Sequence, residues 1–272
     1  MTISLNAGAL DAQADQISVL IEAVEKADSS PSLFTAVRNL AAVADEAAIP
    51  ALVAALSYNN PGAAIAAECG LVRLGRLAVP AIMEQLDLHN YTARAWAIRA
   101  LAEIGDPRGL VTLLDAATSD FAVSVRRAAT KGLGEIDWQG FPNQQLLEKS
   151  QRIALSALLQ IARQDHEWVV RYAAVTGLER FADGFEGVGE GQMRSHIQLK
   201  LQQMLDHEQS VAVHARIRMA QHRLNTEIPQ DRLDNPSVLL ALTDLDWSNI
   251  GKKLDEFSKS EVGITLVDSH SS

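Results

Sequence analysis

The chain has 272 residues, of which 24 are basic (Lys, Arg) and 34 acidic (Asp, Glu), giving a formal net charge of −10 at pH 7. A protein that binds the phosphate backbone of nucleic acids needs a surplus of Lys and Arg on one face, so we expect no nucleic-acid partner. Aromatic residues make up only 5% of the sequence, whereas 47% of it is hydrophobic. The core must therefore consist mainly of Ala, Leu, Val and Ile, a composition that favours closely packed helices.

The single cysteine, Cys69, excludes an intramolecular disulfide and any CxxC metal or redox motif. We therefore expect a protein of a reducing compartment, the cytoplasm. Because the neighbours of Cys69 are mostly apolar, we expect its thiol to be buried as a small hydrophobic group. The N-terminal residues carry no basic leader and no long apolar run, so we expect neither a signal peptide nor insertion into a membrane.

The first predicted element is a helix over residues 13–26, whose apolar side chains recur at helical spacing. Residues 31–60, 61–90 and 91–120 then align without gaps as three blocks of a thirty-residue period. Each block has the pattern of a helix, a tight turn and a second helix. Because such a hairpin cannot bury its apolar face alone, neighbouring hairpins must stack on one another.

The turns inside these blocks are marked by glycine and proline. Gly75 and Gly105 each follow an apolar run, where glycine supplies a left-handed helix cap. Pro107 then prevents the preceding helix from continuing. The sequence therefore predicts an all-α fold, a right-handed alpha-solenoid of about five to six HEAT-like helical hairpins.

The period continues less regularly in the second half of the chain. SVRRAATKGLGEI (residues 124–136) repeats TARAWAIRALAEI of the preceding block, and EWVVRYAAVTGLERF (residues 167–181) repeats the V-R-x-A-A core. Insertions at residues 137–148 and 182–191 interrupt the spacing.

We divide the chain into an N-terminal capping helix (residues 1–30), the HEAT-like repeat region (residues 31–224) and a partly disordered C-terminal extension (residues 225–272). The extension drops the repeat and ends in small polar residues. We expect its apolar cluster to dock on the last hairpin, since an uncapped end would leave a hydrophobic patch in water. This cluster comprises Leu239, Leu240, Leu242, Leu245 and Trp247.

The phrase V-R-x-A-A, preceded by Asp, is the HEAT-repeat signature. Asp120 precedes Arg126 by six residues, as Asp165 precedes Arg171. More specifically, SYNNPGAAIAAECGL, LHNYTARAWAIRALAEIGDPRGL, TSDFAVSVRRAATKGLGEIDW and DHEWVVRYAAVTGLE resemble the E/F-type phycobilin lyases of cyanobacteria, and among these the F-type subunits that serve the phycocyanin alpha chain. The resemblance covers roughly residues 28–224.

This resemblance implies a lyase subunit that pairs with an E-type solenoid in a heterodimer. The pair would attach an open-chain tetrapyrrole, phycocyanobilin, through a thioether to a cysteine of a phycobiliprotein of the phycobilisome, the phycocyanin alpha subunit. The bilin would be a substrate, and no cofactor would be bound permanently. Isomerising relatives carry an Asn-His-Cys motif, which this sequence lacks. We therefore expect ligation of the bilin without isomerisation.

The two propionates of a bilin require cations, and arginine suits them because its guanidinium binds a carboxylate through two parallel hydrogen bonds. The candidates occupy the first helices of the blocks: Arg94, Arg99, Arg126, Arg127 and Arg171. For Arg126 and Arg171 the alternative is a structural ion pair with Asp120 and Asp165. Arg127 lies about 100° further around its helix than Arg126 and is the better candidate for a ligand contact.

Many of the few aromatic residues lie at or just after the turns between blocks, where they could form a wall for a conjugated ligand or a surface for a partner. They are Tyr91, Trp96, Phe121, Trp168 and Tyr172. The alternative is ordinary packing in the core. Carboxylates that could meet the pyrrole nitrogens or supply a proton, and that are therefore candidates for a catalytic role, are Asp120, Asp165 and Glu167. Each also lies near a helix start, where capping explains an acidic residue equally directly.

The seven histidines show no metal-binding spacing, so we expect no metal site. No GxSxG, P-loop or GxGxxG motif in a suitable context occurs, which disfavours hydrolases and nucleotide-dependent enzymes. Two functions remain open. One is the bilin lyase subunit, and the other is a non-catalytic HEAT-repeat adaptor or chaperone for phycobiliproteins in the assembly or degradation of phycobilisomes.

Overall fold

A computed structural model describes residues 15–86, 90–185 and 190–225, together with Lys252, Asp255 and Glu256. Within these residues every regular element is a helix and no strand occurs. The chain divides into two compact units, Met1–Ile104 and Gly105–Ser272. No helix in the described part of the chain combines the length and apolar character needed to cross a membrane.

Unit 1 is built from helical hairpins in two layers. One layer contains α2, α4 and α6, each packed on the next, and the other contains α3 and α5. The bounds of its helices are residues 15–25 (α1), Ser30–Val43 (α2), Ile49–Ala55 (α3), Pro61–Leu74 (α4), Val79–Gln85 (α5) and Tyr91–Ile104 (α6). The predicted N-terminal helix is confirmed as α1, which buries Ile17 and Val24.

Small side chains allow the helices of unit 1 to approach closely. A Cβ atom added at Gly70 of α4 would lie 2.7 Å from the Cβ atom of Ala41 on α2. Asn60 fixes the start of α4, because its side chain accepts a hydrogen bond from the Ala63 N–H and donates to the Ser30 carbonyl at 2.9 Å. The same residue thus caps one helix and ties it to the preceding hairpin.

Unit 2 repeats the two-layer arrangement with longer helices. α10 lies between α8 and α12 in one layer, while α7 and α9 pack on each other in the second layer and α11 packs against α10 and α12. Its helices are Leu110–Ser119 (α7), Val123–Leu133 (α8), Gln144–Gln164 (α9), Trp168–Gly184 (α10), Glu190–Leu205 (α11) and Val211–Leu224 (α12). The predicted all-α fold of HEAT-like hairpins is confirmed.

The two insertions in the second half of the chain meet in an aromatic cluster. Trp138, in the first insertion, stacks on Phe141 with ring centroids 5.7 Å apart and meets the edge of Phe181 at 5.3 Å. Phe185, in the second insertion, lies 6.3 Å from Phe181. Such ring pairs stabilise a fold beyond the area that they bury. The insertions therefore contribute a small core of their own.

The predicted docking of the apolar cluster around Leu245 lies outside the described residues. Among the described residues of the extension, Asp255 forms an ion pair with the Lys149 ammonium on α9, and Asn225 accepts a hydrogen bond from the Gln198 side chain on α11. The sequence predicts one continuous repeat region over residues 31–224, and the structure divides this part of the chain between Ile104 and Gly105.

Candidate binding face

Arginine–carboxylate pairs join successive hairpins of unit 2. The Arg126 guanidinium donates to Asp165 at 2.9 and 3.3 Å, and the Arg171 guanidinium donates to Glu208 at 2.8 Å through two nitrogens. Each arginine also donates to two backbone carbonyls of the turn before its own helix, those of Asp120 and Phe121 for Arg126. Both guanidinium groups are therefore bound within the scaffold.

The sequence predicted structural ion pairs for both arginines, but with different carboxylate partners. Arg126 was expected to pair with Asp120 and Arg171 with Asp165, but each binds the carboxylate of the following hairpin. Asp120 and Asp165 also accept hydrogen bonds from the backbone N–H groups two residues further on, those of Ala122 and Glu167. These hydrogen bonds stabilise the turns before α8 and α10, but neither aspartate caps a helix, because the N-cap residues are Ala122 and Glu167 and neither helix start has a side-chain cap.

Glu208 was missed by the sequence analysis because it stands where the two preceding turns have aspartate. Glu208 lies six residues before the α12 residue that is equivalent to Arg171, and each aspartate likewise lies six residues before its arginine. Hydrogen bonds from Arg171 hold the pKa of Glu208 below its ordinary value of 4.5, and the Ser210 and Gln209 N–H groups add to this effect against the opposing influence of burial.

Glu208→Gln is expected to destabilise unit 2 at pH 7 and to have no effect in strong acid. A carboxyl group with a lowered pKa stabilises the fold above its unfolded pKa, here about 4.5, and this contribution is lost as the pH falls through the folded value. Chemical denaturation at pH 7 and in strong acid, below the lowered pKa of Glu208, measures both limits. A difference between variant and wild type that persists undiminished in acid would contradict the ionic origin of the pairing.

The solvent-exposed side of α8, α10 and α12 carries equivalent positions of three adjacent helices, four residues apart on each. We call these nine residues the binding face. They are Val123, Arg127 and Lys131 on α8, Trp168, Tyr172 and Thr176 on α10, and Val211, Ala215 and Met219 on α12. Residues four apart lie above one another on a helix, about 6 Å apart along its axis.

Two thirds of the binding face is apolar or aromatic. Trp168 is 46% exposed, Tyr172 38% and Met219 51%, so these large side chains contribute little to the core. Packing in the core, the alternative considered for the aromatic candidates, therefore does not account for Trp168 and Tyr172. A contiguous exposed apolar surface of this kind is typical of a ligand or partner site.

The α8 edge of the binding face is basic. The side chains of Arg127 and Lys131 are exposed and form no hydrogen bond or ion pair with any described residue. Arg127 thus differs from its neighbour Arg126 as its position on the helix predicts. Lys131 was missed by the sequence analysis, although its spacing of four residues from Arg127 was a usable signal.

Glu167 and Phe121 lie beside this face at the turns between hairpins. Glu167 is exposed at the start of α10, and it is the residue whose backbone N–H is bound by Asp165. Phe121 is 77% exposed, so it is not a core residue either. Three carboxylates were considered for a catalytic role. Asp120 and Asp165 accept hydrogen bonds from turn N–H groups, whereas the Glu167 side chain makes no such bond at the start of α10.

The remaining candidates belong to unit 1. The Arg94 guanidinium lies 5.8 Å from the Tyr91 ring centroid, and the Arg99 guanidinium lies 4.7 Å from that of Trp96. Arg99 also donates to Glu68 of α4 at 3.0 Å, which joins two hairpins. Arg99 is thereby fixed by one aromatic ring and one carboxylate.

Cys69 is exposed, so the expectation of a buried thiol is wrong. The physical reason is its place on α4, four residues after the exposed Ile65 and between the buried Glu68 and Gly70. In an alanine-rich helix, apolar neighbours in the sequence do not mark the buried side.

Burial raises the pKa of Glu68 above its ordinary value of 4.5, and the hydrogen bond and charge of Arg99 oppose this only in part. A carboxyl group with a raised pKa costs stability when the pH rises from about 4.5 through the folded value. Glu68→Gln is therefore expected to increase the stability of unit 1 at pH 7, since Arg99 is half exposed and remains hydrated. Melting curves at pH 4 and pH 7 test this: a loss of stability at pH 7 would contradict it.

The repeated hairpins match known repeat families. The model for HEAT repeats matches residues 62–134 and 79–179, and the model for PBS lyase HEAT-like repeats matches residues 34–58. Together with the two-layer hairpins and the arginine–carboxylate pairs between them, these matches define the chain as a HEAT-repeat protein.

Relatives specify the class further. The chain is 50% identical over 257 residues to phycocyanobilin lyase subunit beta of Pseudanabaena tenuis, covering 91% of this chain and 90% of that protein. It is 48% identical over 204 residues to a phycocyanobilin lyase subunit beta of Nostoc sp., covering 74% of this chain and 97% of that protein. A solved structure of the complex of CpcE and CpcF of phycocyanin lyase from Nostoc sp. contains a chain with 46% identity and a TM-score of 0.59, covering 65% of this chain and 99% of that one. The chain belongs to the family of the F-type, or beta, phycocyanobilin lyase subunits.

Proposed function

We propose that this chain is one subunit of a heterodimeric lyase that, with an E-type partner, attaches phycocyanobilin to a cysteine of the phycocyanin alpha subunit. The observation that carries the proposal is the 50% identity to a phycocyanobilin lyase beta subunit over about nine tenths of both chains. The name of a second relative, phycocyanin alpha phycocyanobilin lyase CpcF of Synechocystis sp., supports the choice of acceptor. We place the reaction in the cytoplasm, where an exposed thiol such as that of Cys69 stays reduced.

The reaction adds a thiol to an exocyclic carbon–carbon double bond of the bilin. The acceptor sulfur bonds to one carbon, and a proton is delivered to the other carbon, so no oxidant or reductant is consumed. Because the acceptor protein brings the nucleophile, the lyase needs to orient the bilin and supply or relay a proton. The nine residues of the binding face include no cysteine, which is consistent with this division of labour.

The residues of the binding face match the requirements of the bilin. Trp168 and Tyr172 offer exposed rings for an extended conjugated plane, and Arg127 offers a cation for a carboxylate. Glu167, exposed at the start of the same helix as Trp168, is the carboxylate that we propose as a proton source or as a partner of the pyrrole nitrogens. The aromatic and arginine residues of unit 1 are a second place where the partner or the bilin can bind.

Reconstitution tests the proposal. The chain is combined with an E-type subunit, the phycocyanin alpha subunit and phycocyanobilin, and the acceptor is denatured and examined for covalently attached colour. We expect coloured acceptor when both lyase subunits are present and little without this chain. Colourless acceptor that is nevertheless bound by the chain would favour the adaptor function.

A further inference from the structure

We propose that Arg127 and Lys131 together bind the two propionate groups of the bilin and thereby select tetrapyrroles with free carboxylates. The inference rests on the proposed function and specifies how the binding face recognises its substrate. A bilin carries one propionate on each of its two central pyrrole rings. It therefore presents two anionic groups on one side of an otherwise largely apolar, conjugated body.

The geometry of α8 fits such a pair of anions. Arg127 and Lys131 are one helical turn apart, so their side chains leave the helix on the same side and about 6 Å apart along its axis. α8 packs directly against α10. On α10, Tyr172 is at the position equivalent to Arg127, and Trp168 lies one turn before Tyr172. A tetrapyrrole lying on the rings of α10 can thus extend both carboxylates towards α8.

Most other cations of this layer are already engaged. Arg126 and Arg171 bind carboxylates of the next hairpin, and Arg180 lies 3.6 Å from Glu135. Arg216 and Arg223 both bind Glu179. Among the arginines and lysines of α8, α10 and α12, those without a partner in the described chain are Arg127, Lys131 and Arg218.

Arg218 provides a matched control. It is exposed and lies in the same layer, but it falls one residue before Met219 and so points to a different side of α12 from the binding face. If the cations of this layer served only to keep the surface hydrated, Arg127, Lys131 and Arg218 would be interchangeable in their effect on bilin binding. If Arg127 and Lys131 form a propionate site, only substitutions of these two residues weaken bilin binding.

The test uses the complex of this chain with its E-type partner and compares phycocyanobilin with its dimethyl ester, which keeps the conjugated system but has no carboxylates. Absorbance titration measures the affinity for each. We expect the wild-type complex to prefer the free acid, and Arg127→Gln and Lys131→Gln each to weaken binding of the acid by about three- to tenfold while leaving the ester unaffected. The preference should shrink as the ionic strength rises, and Arg218→Gln should change neither affinity.

Equal affinity of the wild-type complex for acid and ester would overturn the inference, as would variants that weaken both ligands alike. Either result is compatible with coloured acceptor in the reconstitution and so leaves the lyase function standing. Failure of the lyase function is recognised separately, by the absence of covalent colour with the wild-type complex and the free acid.

Discussion

Replacing Glu179 by glutamine is expected to lower the free energy of unfolding of unit 2 by about 3 to 5 kcal/mol. Glu179 on α10 is 2% exposed and accepts hydrogen bonds from Arg216 at 2.7 Å and from Arg223 at 2.6 Å. Arg216 is only 5% exposed, so loss of the carboxylate leaves a buried guanidinium without its counter-ion. Its remaining contact, with the Thr176 hydroxyl, cannot compensate the charge.

Denaturant titration followed by circular dichroism measures this loss, with Glu135→Gln as the matched control. Glu135 also faces an arginine, Arg180, but at 3.6 Å and with side chains that are 33% and 56% exposed, so we expect a change of about 0 to 1 kcal/mol. Similar losses for the two variants would show that burial of Arg216 does not determine the energetics of this cluster.

Gly134→Ala is expected to destabilise unit 2 by about 3 kcal/mol, at the upper end of ordinary overpacking. A Cβ atom at Gly134 would lie 2.4 Å from the Gly177 carbonyl oxygen and 2.6 Å from the Gly177 Cα atom. Both are backbone atoms of α10, so no side chain can rotate away to relieve the contact. The backbone just after α8 would have to move away from α10, which weakens the packing between these two helices.

The control is Gly191→Ala, because a Cβ atom there meets no other atom within 4 Å. Since alanine favours helix more than glycine does, this substitution near the start of α11 should be neutral or stabilising by up to about 1 kcal/mol. Thermal melts of both variants separate the steric effect of the added methyl group from the higher helix propensity of alanine. A Gly134→Ala variant that melts with the wild type would mean that the close approach of α8 and α10 is not required.

The helices and their turns could be predicted because they depend on local chemistry and on the period. Gly75 and Gly105 both adopt positive φ, 58° and 68°, which favours glycine after a helix. Gly75 combines this φ with a ψ of −129°, so it ends α4 without the left-handed helical cap that the sequence predicted. Ala44 adopts φ 53° at the end of α2 and could not be recognised, since alanine carries no signal for this conformation.

The sequence predicted that the arginines pair with carboxylates, but it did not identify which carboxylate each one binds. The six-residue spacing between Asp120 and Arg126 indicated an arginine–carboxylate pair, but the carboxylate that Arg126 binds is 39 residues further along the chain. Which turn comes within reach depends on the stacking of hairpins and on the length of the insertion between them. Glu208 escaped notice for the same reason, because its role is set by its position next to Arg171.

The candidate site was predicted in part. Arg127, Trp168 and Tyr172 emerged from the sequence as ligand candidates, and the structure brings them onto one face of unit 2. Lys131 and Met219 join that face only when α8, α10 and α12 are aligned side by side. Composition cannot distinguish such an exposed stripe from a buried one, as the exposed thiol of Cys69 illustrates.

The rate of covalent bilin attachment by the heterodimer tests the central claim most directly when Trp168 and Tyr172 are both replaced by alanine. Because the bilin would lose the stacking and apolar contacts of both rings, we expect a fall of at least about tenfold, with helicity and pairing to the E-type partner retained. Leu199→Ala, which removes an exposed apolar side chain from α11 outside the binding face, should leave the rate unchanged. An undiminished rate for the Trp168→Ala, Tyr172→Ala variant would contradict the claim that the lyase acts through this face.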